Sequence, residues 1–427
     1  MDREQLFQKI SIENEKKMVM VVLDGLGGLP VQGKTELETA ATPNIDSLAS
    51  VSELGLTHPI GIGITPGSGP AHLSLFGYDP LKYEIGRGIL EALGVGIAVG
   101  KRDVTVRGNF ATLEDGRITD RRAGRIPTEK NRELVAYLNE RIRKIDDVDI
   151  RLYSGEEHRF VLVMSGEGLS DALSDADPEI VGQPIRYAEP KNEEARKTSD
   201  IVNQFIDRLT AELHDFHPAN TCLLRGFAKY PAIPSMNDLF RLKPAAIATY
   251  PMYRGLAQLV GMEILVTGRT IEEEIETLKG NFSRFDFFFV HVKKTDSYGE
   301  DGNFLNKVKV IEEFDRWLPA ILELAPDVLV ITGDHSTPAA MKSHSWHPNP
   351  FLIHAAYQRR RDLNTRFPDA TAKGNGGRSA VGKGAAAMNL GKFGESSCVG
   401  GVLGNFSAVD ILPLMMANAL KFKKYGA

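Results

Sequence analysis

The sequence predicts an α/β protein with a doubly wound sheet domain and an inserted second α/β domain. In the outer parts of the chain, apolar strand-like runs alternate with helical patterns, as in a mostly parallel sheet. Three of these runs lead into carboxylate or imidazole side chains, which is where an open α/β sheet places its chemistry. The middle of the chain differs, with short strands, turns and few helical patches.

The first domain begins after a polar leader, residues 1–17, in which we expect a short helix. The strand MVMVVL follows and ends at Asp24, and Thr42, Pro43 and Asn44 make a good helix start. Ser68 lies where a turn-rich segment gives way to a helix-like run that starts near Ala71.

The inserted domain is predicted from a change of pattern. Residues 86–242 alternate short strand-like runs with turns and helical patches such as 192–214. We therefore assign 86–242 to the insert, so that the first domain is discontinuous and comprises residues 1–85 and 243–427.

The doubly wound pattern resumes after the insert. Helices are predicted near residues 253–260 and 271–279, and strands begin near Phe285, Val328 and Phe351.

Composition excludes several kinds of partner. The formal net charge is -5, from 51 Lys and Arg against 56 Asp and Glu, and the basic residues are scattered. This pattern argues against nucleic acid or an anionic membrane as a partner. Cys222 and Cys398 form no CxxC motif, so we expect inert thiols in a reducing compartment, the cytoplasm. The N-terminus lacks a continuous apolar stretch, so we expect no export signal or anchor; the oligomeric state stays open.

The side chains that follow three of the predicted strands are metal-ligand types. Together with Ser68 they form two sets, Asp24, Ser68, Asp334 and His335 in the first and Asp296, Glu300 and His344 in the second. Carboxylate-rich sets with one imidazole each favour Mn²⁺, Mg²⁺ or Zn²⁺ over soft metals. Two such ions can hold the attacking and leaving oxygens of a phosphoryl transfer, and metal coordination would activate the Ser68 hydroxyl as a nucleophile.

Each of these side chains also has an ordinary structural explanation. An aspartate after a strand often caps the next helix, and a serine beside Gly and Pro often belongs to a turn. Seven such residues together are harder to explain in this way. His291 lies inside the apolar run FFFVHV, and we interpret it as a core histidine. The spacing leaves open whether His344 or His347 is the ligand.

The insert contributes basic residues in or beside predicted turns. Six arginines are candidates for binding phosphate and carboxylate groups: Arg107, Arg121, Arg122, Arg125, Arg159 and Arg225. Solvation of the surface explains some of them equally well. Asp120 and His158 are the candidates for proton transfer or for holding substrate hydroxyl groups.

Two glycine-rich segments do not qualify as nucleotide sites. Residues 376–384, GGRSAVGKG, fit GxxxxGK, but Gly384 stands where Ser or Thr is needed and no predicted strand precedes the motif. The segment DGLGGLPVQG follows a strand but misses the dinucleotide spacing, because Pro30 replaces the last glycine.

Several longer motifs resemble one known family. They are VVLDGLGG, GKTELETAATPNIDSLA, PGSGPAHLSLFGYDP, GRGILEALGVGIAV, RGNFATL, DRRAGRI, TGDHSTP and the terminal KYGA. Together they resemble the archaeal-type cofactor-independent phosphoglycerate mutases of the alkaline phosphatase superfamily, over nearly the whole chain after the leader. The resemblance implies an alkaline-phosphatase-like first domain and a substrate-binding, phosphotransfer role for the insert.

The resemblance also implies residue roles. Ser68 would become phosphoserine, each of the two sets would bind one metal ion, and His344 rather than His347 matches the pattern His-Ser-x-x-Pro-x-Pro. One position departs from the family, which usually has Gly-His-Asp-Gly where this chain has Glu300 in Gly-Glu-Asp-Gly. A glutamate adds negative charge and favours Mn²⁺ or Mg²⁺ over Zn²⁺.

The implied activity is that of an isomerase of glycolysis and gluconeogenesis. It would interconvert 2-phosphoglycerate and 3-phosphoglycerate without 2,3-bisphosphoglycerate. Two alternatives stay open at this point. The first alternative is a small-molecule kinase, because relatives of the family have been proposed as homoserine kinases. The second is a metal-binding protein that lost catalysis through the change to Glu300.

Overall fold

The structure is a computed structural model that describes residues 1–83, 85–94, 96–97, 99–357 and 392–426. The rejected nucleotide motif at 376–384 lies outside the described residues. The chain forms two compact units. Unit 1 comprises Met1–Tyr83, Pro234–Tyr250 and Val260–Ala427, and unit 2 comprises Glu84–Ile233 and Pro251–Leu259.

Both units contain strands as well as helices. The strands, in chain order, are β1 (Met18–Leu23), β2 (Glu53–His58), β3 (Asp103–Glu114), β4 (Arg117–Asp120), β5 (Lys144–Ile145), β6 (Val148–Ser154), β7 (Arg159–Ser165), β8 (Thr221–Lys229), β9 (Pro244–Ala248), β10 (Glu263–Ile264), β11 (Phe287–Val292), β12 (Val328–Thr332), β13 (Asn349–Ala355) and β14 (Gly404–Ser407). The helices are α1 (Arg3–Ile10), α2 (Glu36–Thr39), α3 (Pro43–Ser50), α4 (Ser68–Leu75), α5 (Arg87–Gly94), α6 (Thr128–Arg141), α7 (Arg196–Glu212), α8 (Met236–Phe240), α9 (Pro251–Leu259), α10 (Ile271–Asn281), α11 (Lys294–Glu300), α12 (Phe304–Leu322), α13 (Glu395–Val399) and α14 (Ile411–Asn418).

Unit 1 is built on an eight-stranded sheet in the order β10-β9-β11-β1-β12-β13-β2-β14. β13 runs antiparallel to both neighbours, and the other neighbouring strands are parallel. Every residue of β1, β11 and β12 is buried, as in parallel sheets that helices cover on both faces. These three strands lie side by side, so their carboxyl ends meet at one edge of the sheet.

Helices pack on both faces of this sheet. α12 contributes Phe314 and Leu318 to the core cluster that contains Phe288 of β11. Phe76, at the end of α4, lies with its ring 4.9 Å from that of Phe289, the next residue of β11. Because successive residues of a strand face opposite sides, α12 and α4 cover opposite faces. The prediction of a doubly wound α/β sheet is confirmed.

Local signals in the sequence place several helices of unit 1. The polar leader forms α1, and α3 has Pro43 in its first turn, where the missing N–H costs nothing. α4 starts three residues before the predicted Ala71, at Ser68. In the described part of the chain, no helix is long and apolar enough to cross a membrane.

Unit 2 is built on an antiparallel sheet. The long strand β3 pairs antiparallel with β4, β7 and β8. Leu138 of α6 and Phe205 of α7 join Phe160 and Leu162 of β7 in the main core cluster of this unit. The compact unit also takes in α9, which lies beyond the predicted insert at 86–242.

Candidate active site

The first predicted metal set converges where β1 and β12 end. Asp24 follows β1 directly, Asp334 and His335 follow β12, and all three side chains are fully buried. Their ligand atoms lie within 4.8 Å of one another. Ser68 Oγ lies 3.2 Å from His335 Nε2, so the structure brings all four residues of the set together.

Ser68 is the first residue of α4 and is half-buried. The N-terminus of a helix attracts anions, because its first N–H groups lack partners within the helix and the helix dipole is positive there. A phosphoryl group on Ser68 would therefore lie in a favourable field.

The second set is more open. Asp296 lies in the first turn of α11, and its Oδ1 is 3.5 Å from His344 Nε2. Glu300 lies one turn later on the same helix, and its Oε1 is 3.6 Å from His344 Nε2, with the side chain 54% exposed. His347 belongs to neither cluster of ligand atoms in the described residues; its Nδ1 lies 3.1 Å from Ser345 Oγ.

His335 connects the two sets. Its ligand atoms group with Asp24 and Asp334 and also with Asp296 and His344, although the sequence predicted it in the first set alone. The rings of His335 and His344 stack with their centroids 3.6 Å apart. The two groups of ligand atoms thus form one continuous cluster, and Glu300 lies outside both groups.

The tautomer of His335 follows from its neighbour. Thr337 Oγ1 donates its proton to Asp296 Oδ1 at 2.7 Å, so it can only accept from His335 Nδ1, 2.9 Å away. Nδ1 therefore carries the proton, and the lone pair of Nε2 faces Ser68 and the carboxylates. Such a hydrogen bond to the second ring nitrogen orients histidine ligands in metal sites.

Burial and charge perturb the titration of this cluster. Burial lowers the pKa of His335 to about 3. Burial and the neighbouring charge of Asp24 raise the pKa of Asp334 well above its ordinary value. Burial also opposes ionisation of Asp24, but the contacts with His291 and Lys293 outweigh it and hold the pKa of Asp24 well below the ordinary value.

The cluster fits a divalent cation. Asp24 Oδ1 and Asp334 Oδ2 are buried and accept no hydrogen bond from the described residues. The Nε2 lone pair of His335 lies 3.1 Å from Asp334 Oδ2, an arrangement that is repulsive unless a cation or a proton lies between them. Oxygen and imidazole ligands suit Mn²⁺, Mg²⁺ and Zn²⁺.

In unit 2, the buried His158 has basic neighbours. Burial lowers its pKa to about 4, and the charges of Arg159, Arg122 and Arg125 act in the same direction. Neither His158 Nδ1 nor Arg159 Nε has a hydrogen-bond partner among the described residues, although both atoms are buried. Arg122 and Arg125 are exposed, and Arg125 lies 3.5 Å from Glu157.

The other predicted residues of unit 2 are engaged with neighbours. Arg121 makes two hydrogen bonds to the buried Asp177, at 3.0 and 2.7 Å. Arg225 lies 3.4 Å from Asp175 and 3.6 Å from Asp177, and Arg107 faces it across β3 and β8. The Asp120 carboxylate accepts the backbone N–H groups of residues 122 and 124, and so holds the turn that carries Arg122.

Comparison with known proteins identifies the family. The family model of 2,3-bisphosphoglycerate-independent phosphoglycerate mutase matches residues 49–220. A protein of Thermotoga neapolitana, named a probable enzyme of this kind, is 52% identical over 427 residues, with both chains covered completely. The chain belongs to this phosphoglycerate mutase family.

More distant relatives agree. A similarly named protein of Thermus thermophilus is 46% identical over 433 residues and covers both chains completely. The cofactor-independent phosphoglycerate mutase of Thermoplasma acidophilum is 29% identical, with a TM-score of 0.68 over 95% of this chain and all of the other. A Pyrococcus horikoshii structure gives a TM-score of 0.77 at 28% identity, over 97% of this chain and all of the other. The predicted family and enzyme class are confirmed.

Several residues around the cluster of this family member were missed in the sequence. His72 Nδ1 lies 2.9 Å from the carbonyl oxygen of Ser68 and 3.3 Å from Asp334 Oδ2. His72 follows Ser68 by one helical turn, which is the signal that could have found it. His291, interpreted as a core histidine, is fully buried, and its Nε2 lies 3.3 Å from Asp24 Oδ2.

Two missed lysines lie close to the same cluster. Lys293 follows β11 directly and contacts both Asp24 and Asp296. Lys307 of α12 is fully buried. Its Nζ donates to the carbonyl oxygens of Gly25 at 2.8 Å, Gly27 at 3.1 Å and Thr337 at 2.9 Å. Lys307 thus ties the loop after β1 to the loop after β12.

Proposed function

We propose that this chain interconverts 2-phosphoglycerate and 3-phosphoglycerate through a phosphoserine at Ser68. The observation that carries the proposal is the position of Ser68, at the N-terminus of α4 with its Oγ 3.2 Å from the His335 Nε2 lone pair. Asp24, Asp334 and His335 would hold one divalent ion beside Ser68, and Asp296, Glu300 and His344 a second.

The proposed reaction uses the serine twice. Bound ions would supply positive charge that lowers the pKa of the Ser68 hydroxyl and stabilises the transferring phosphoryl group. Ser68 Oγ forms a bond to phosphorus while the phosphoester bond of the substrate breaks, and the serine proton replaces the phosphoryl group on the substrate oxygen. The second step reverses this exchange with the other hydroxyl of glycerate, so no proton or phosphate is gained or lost.

Unit 2 would bind the anionic groups of the substrate. Arg122, Arg125 and Arg159 are its candidates, because the first two are exposed and the third has a buried Nε without a partner in the described residues. His158 would hold or move a proton at Nδ1. Arg121 and Arg225 would contribute more through the charged network with Asp175 and Asp177 than through direct contact. Arg107, which pairs with Arg225 across β3 and β8, would add positive charge beside that network.

We further propose Mn²⁺ or Mg²⁺ rather than Zn²⁺. The support is Glu300, a carboxylate at the position where the family usually has a histidine. It gives the second set two carboxylates and one imidazole, and hard ions such as Mn²⁺ and Mg²⁺ prefer carboxylate ligands. For the compartment we propose the cytoplasm, in keeping with two buried cysteines that form no disulfide. Neither the comparisons nor the described residues favour a kinase or a protein without catalysis.

The test is an enolase-coupled assay on metal-stripped protein. With 3-phosphoglycerate and no bisphosphoglycerate, we expect turnover only after Mn²⁺ or Mg²⁺ is restored. Ser68→Ala should lose at least about 10³-fold in kcat, because the covalent route is removed. Ser47→Ala, which removes an exposed serine hydroxyl of α3, is the matched control and should keep full turnover.

Mass spectrometry of the protein quenched during turnover should show phosphate on the peptide that contains Ser68. Near-normal turnover by Ser68→Ala would rule out the covalent route. Release of inorganic phosphate without 2-phosphoglycerate would indicate a phosphatase instead.

A further inference from the structure

Lys293 bridges the two metal sets. It is the residue between β11 and α11, and its side chain is 21% exposed. Its Nζ lies 3.0 Å from Asp24 Oδ2, in the first set, and 2.5 Å from Asp296 Oδ2, in the second. The ring of Tyr250, with its centroid 5.5 Å from Nζ, adds a cation–π contact.

The two carboxylate oxygens of each bridged aspartate have different neighbours. Asp24 Oδ2 faces Lys293, whereas Oδ1 lies 3.5 Å from His335 Nε2 and accepts no hydrogen bond from the described residues. Asp296 Oδ2 likewise faces Lys293, whereas Oδ1 accepts from Thr337 and lies 3.5 Å from His344 Nε2. In both residues the lysine fixes Oδ2, which in Asp24 also lies 3.3 Å from His291 Nε2, and Oδ1 faces the imidazole of His335 or His344.

We infer that Lys293 is a resident counter-cation and positioning residue of the metal centre. It holds Oδ2 of Asp24 and Asp296 away from the ions, so that each aspartate offers a single oxygen, Oδ1. It also offsets the repulsion between buried carboxylates when no ion is bound. This inference rests on the proposed two-metal site but not on the identity of the substrate.

The role predicts opposite effects on the metal-free protein and on metal binding. Without Lys293, the metal-free protein keeps Asp24 and Asp296 buried with less compensating charge, and it should become less stable. Binding of a cation should become tighter, because one positive charge beside the site is gone. A lysine that only packs, or that itself helps to bind the ions, would not produce this pair of effects.

The experiment compares Lys293→Met with Lys294→Met, which removes the adjacent, exposed lysine. In chelator, Lys293→Met should unfold about 5–10 °C below Lys294→Met. Lys293→Arg, which keeps the charge, should recover part of the loss.

Calorimetric titration with Mn²⁺ provides the second measurement. Lys293→Met should bind Mn²⁺ about tenfold more tightly than Lys294→Met and yet turn over more slowly, because its aspartates are no longer fixed. If Lys293→Met folded only in the presence of Mn²⁺, that outcome would also support the inference, because the loss of stability would then be confined to the metal-free protein. Equal stability of the two methionine variants in chelator, or weaker Mn²⁺ binding by Lys293→Met, would overturn the inference. Failure of the unmodified protein to bind two Mn²⁺ ions would instead count against the proposed metal site.

Discussion

The candidate residues of unit 1 and unit 2 reach their places by different routes. In unit 1 all of them except Ser68, which begins α4, follow β1, β11 or β12, which are neighbours in a parallel sheet. In unit 2 the six arginines come from strands and turns of an antiparallel sheet, and Arg121 and Arg225 already pair with aspartates. Position after a buried parallel strand is therefore a strong guide to chemistry, whereas an arginine in an antiparallel unit can serve the fold as readily as a ligand.

The largest effect should come from the buried cation that supports the strand ends of unit 1. Lys307→Met removes three N–H donors and leaves the carbonyl oxygens of Gly25, Gly27 and Thr337 without them. It also leaves Glu36, 3.8 Å from Lys307 Nζ, buried without its nearest cation. We expect a loss of about 3–5 kcal/mol in the free energy of unfolding, measured in urea.

The matched control for that change lies on the same helix. Lys309 is exposed and bonds only to Asn306 among the contacts of the described residues, so Lys309→Met should change stability by less than about 0.5 kcal/mol. Similar losses in both variants would mean that the strand ends of unit 1 do not depend on a buried cation.

The same contrast explains how far the sequence alone could lead. Runs of β-branched and aromatic residues revealed β1, β11 and β12, and the side chains after them placed Asp24, Asp334 and His335 in one set. Lys293 also follows a buried strand, but lysine is not a metal-ligand type, and two adjacent lysines after a strand are typical of a solvent-exposed turn. The sheet order could not be predicted, because pairing of distant strands leaves no trace in local periodicity.

The turn DRRAGRI offers a comparison within unit 2. Arg121→Met should destabilise the protein by about 2–3 kcal/mol, because Asp177 is fully buried and would keep only the backbone N–H of Glu179 and the guanidinium of Arg225, 3.6 Å away. Arg122 is exposed, so Arg122→Met should leave stability within about 0.5 kcal/mol and raise KM for 3-phosphoglycerate about tenfold. Urea unfolding and steady-state kinetics measure the two effects.

Arg132→Met, an exposed change on α6, controls for loss of positive charge and should alter neither quantity. If Arg121→Met raised KM without loss of stability, Arg121 would be a ligand residue and the aspartate network would not be its main partner. The contrast between the two units would then be weaker than the contacts indicate.

The smallest effect should be a pH dependence of stability from His158. Its pKa is lowered from the ordinary 6.5 to about 4, chiefly by burial and then by Arg159, so the unfolded chain binds a proton there at a higher pH than the folded chain. The stabilisation is complete above pH 6.5 and is lost as the pH falls towards 4. Between neutral and acidic pH, the His158→Gln variant should lose about 1–2 kcal/mol less of its free energy of unfolding than the unmodified protein loses. Urea unfolding followed by circular dichroism measures the difference.

The control is His214→Gln, which replaces a side chain that is 84% exposed and should leave the pH dependence unchanged. Because the other buried histidines are unaltered in both variants, the difference between the two profiles isolates His158. Identical profiles would mean that His158 is as solvated as His214, and would remove the main reason to place a neutral imidazole among the arginines of unit 2.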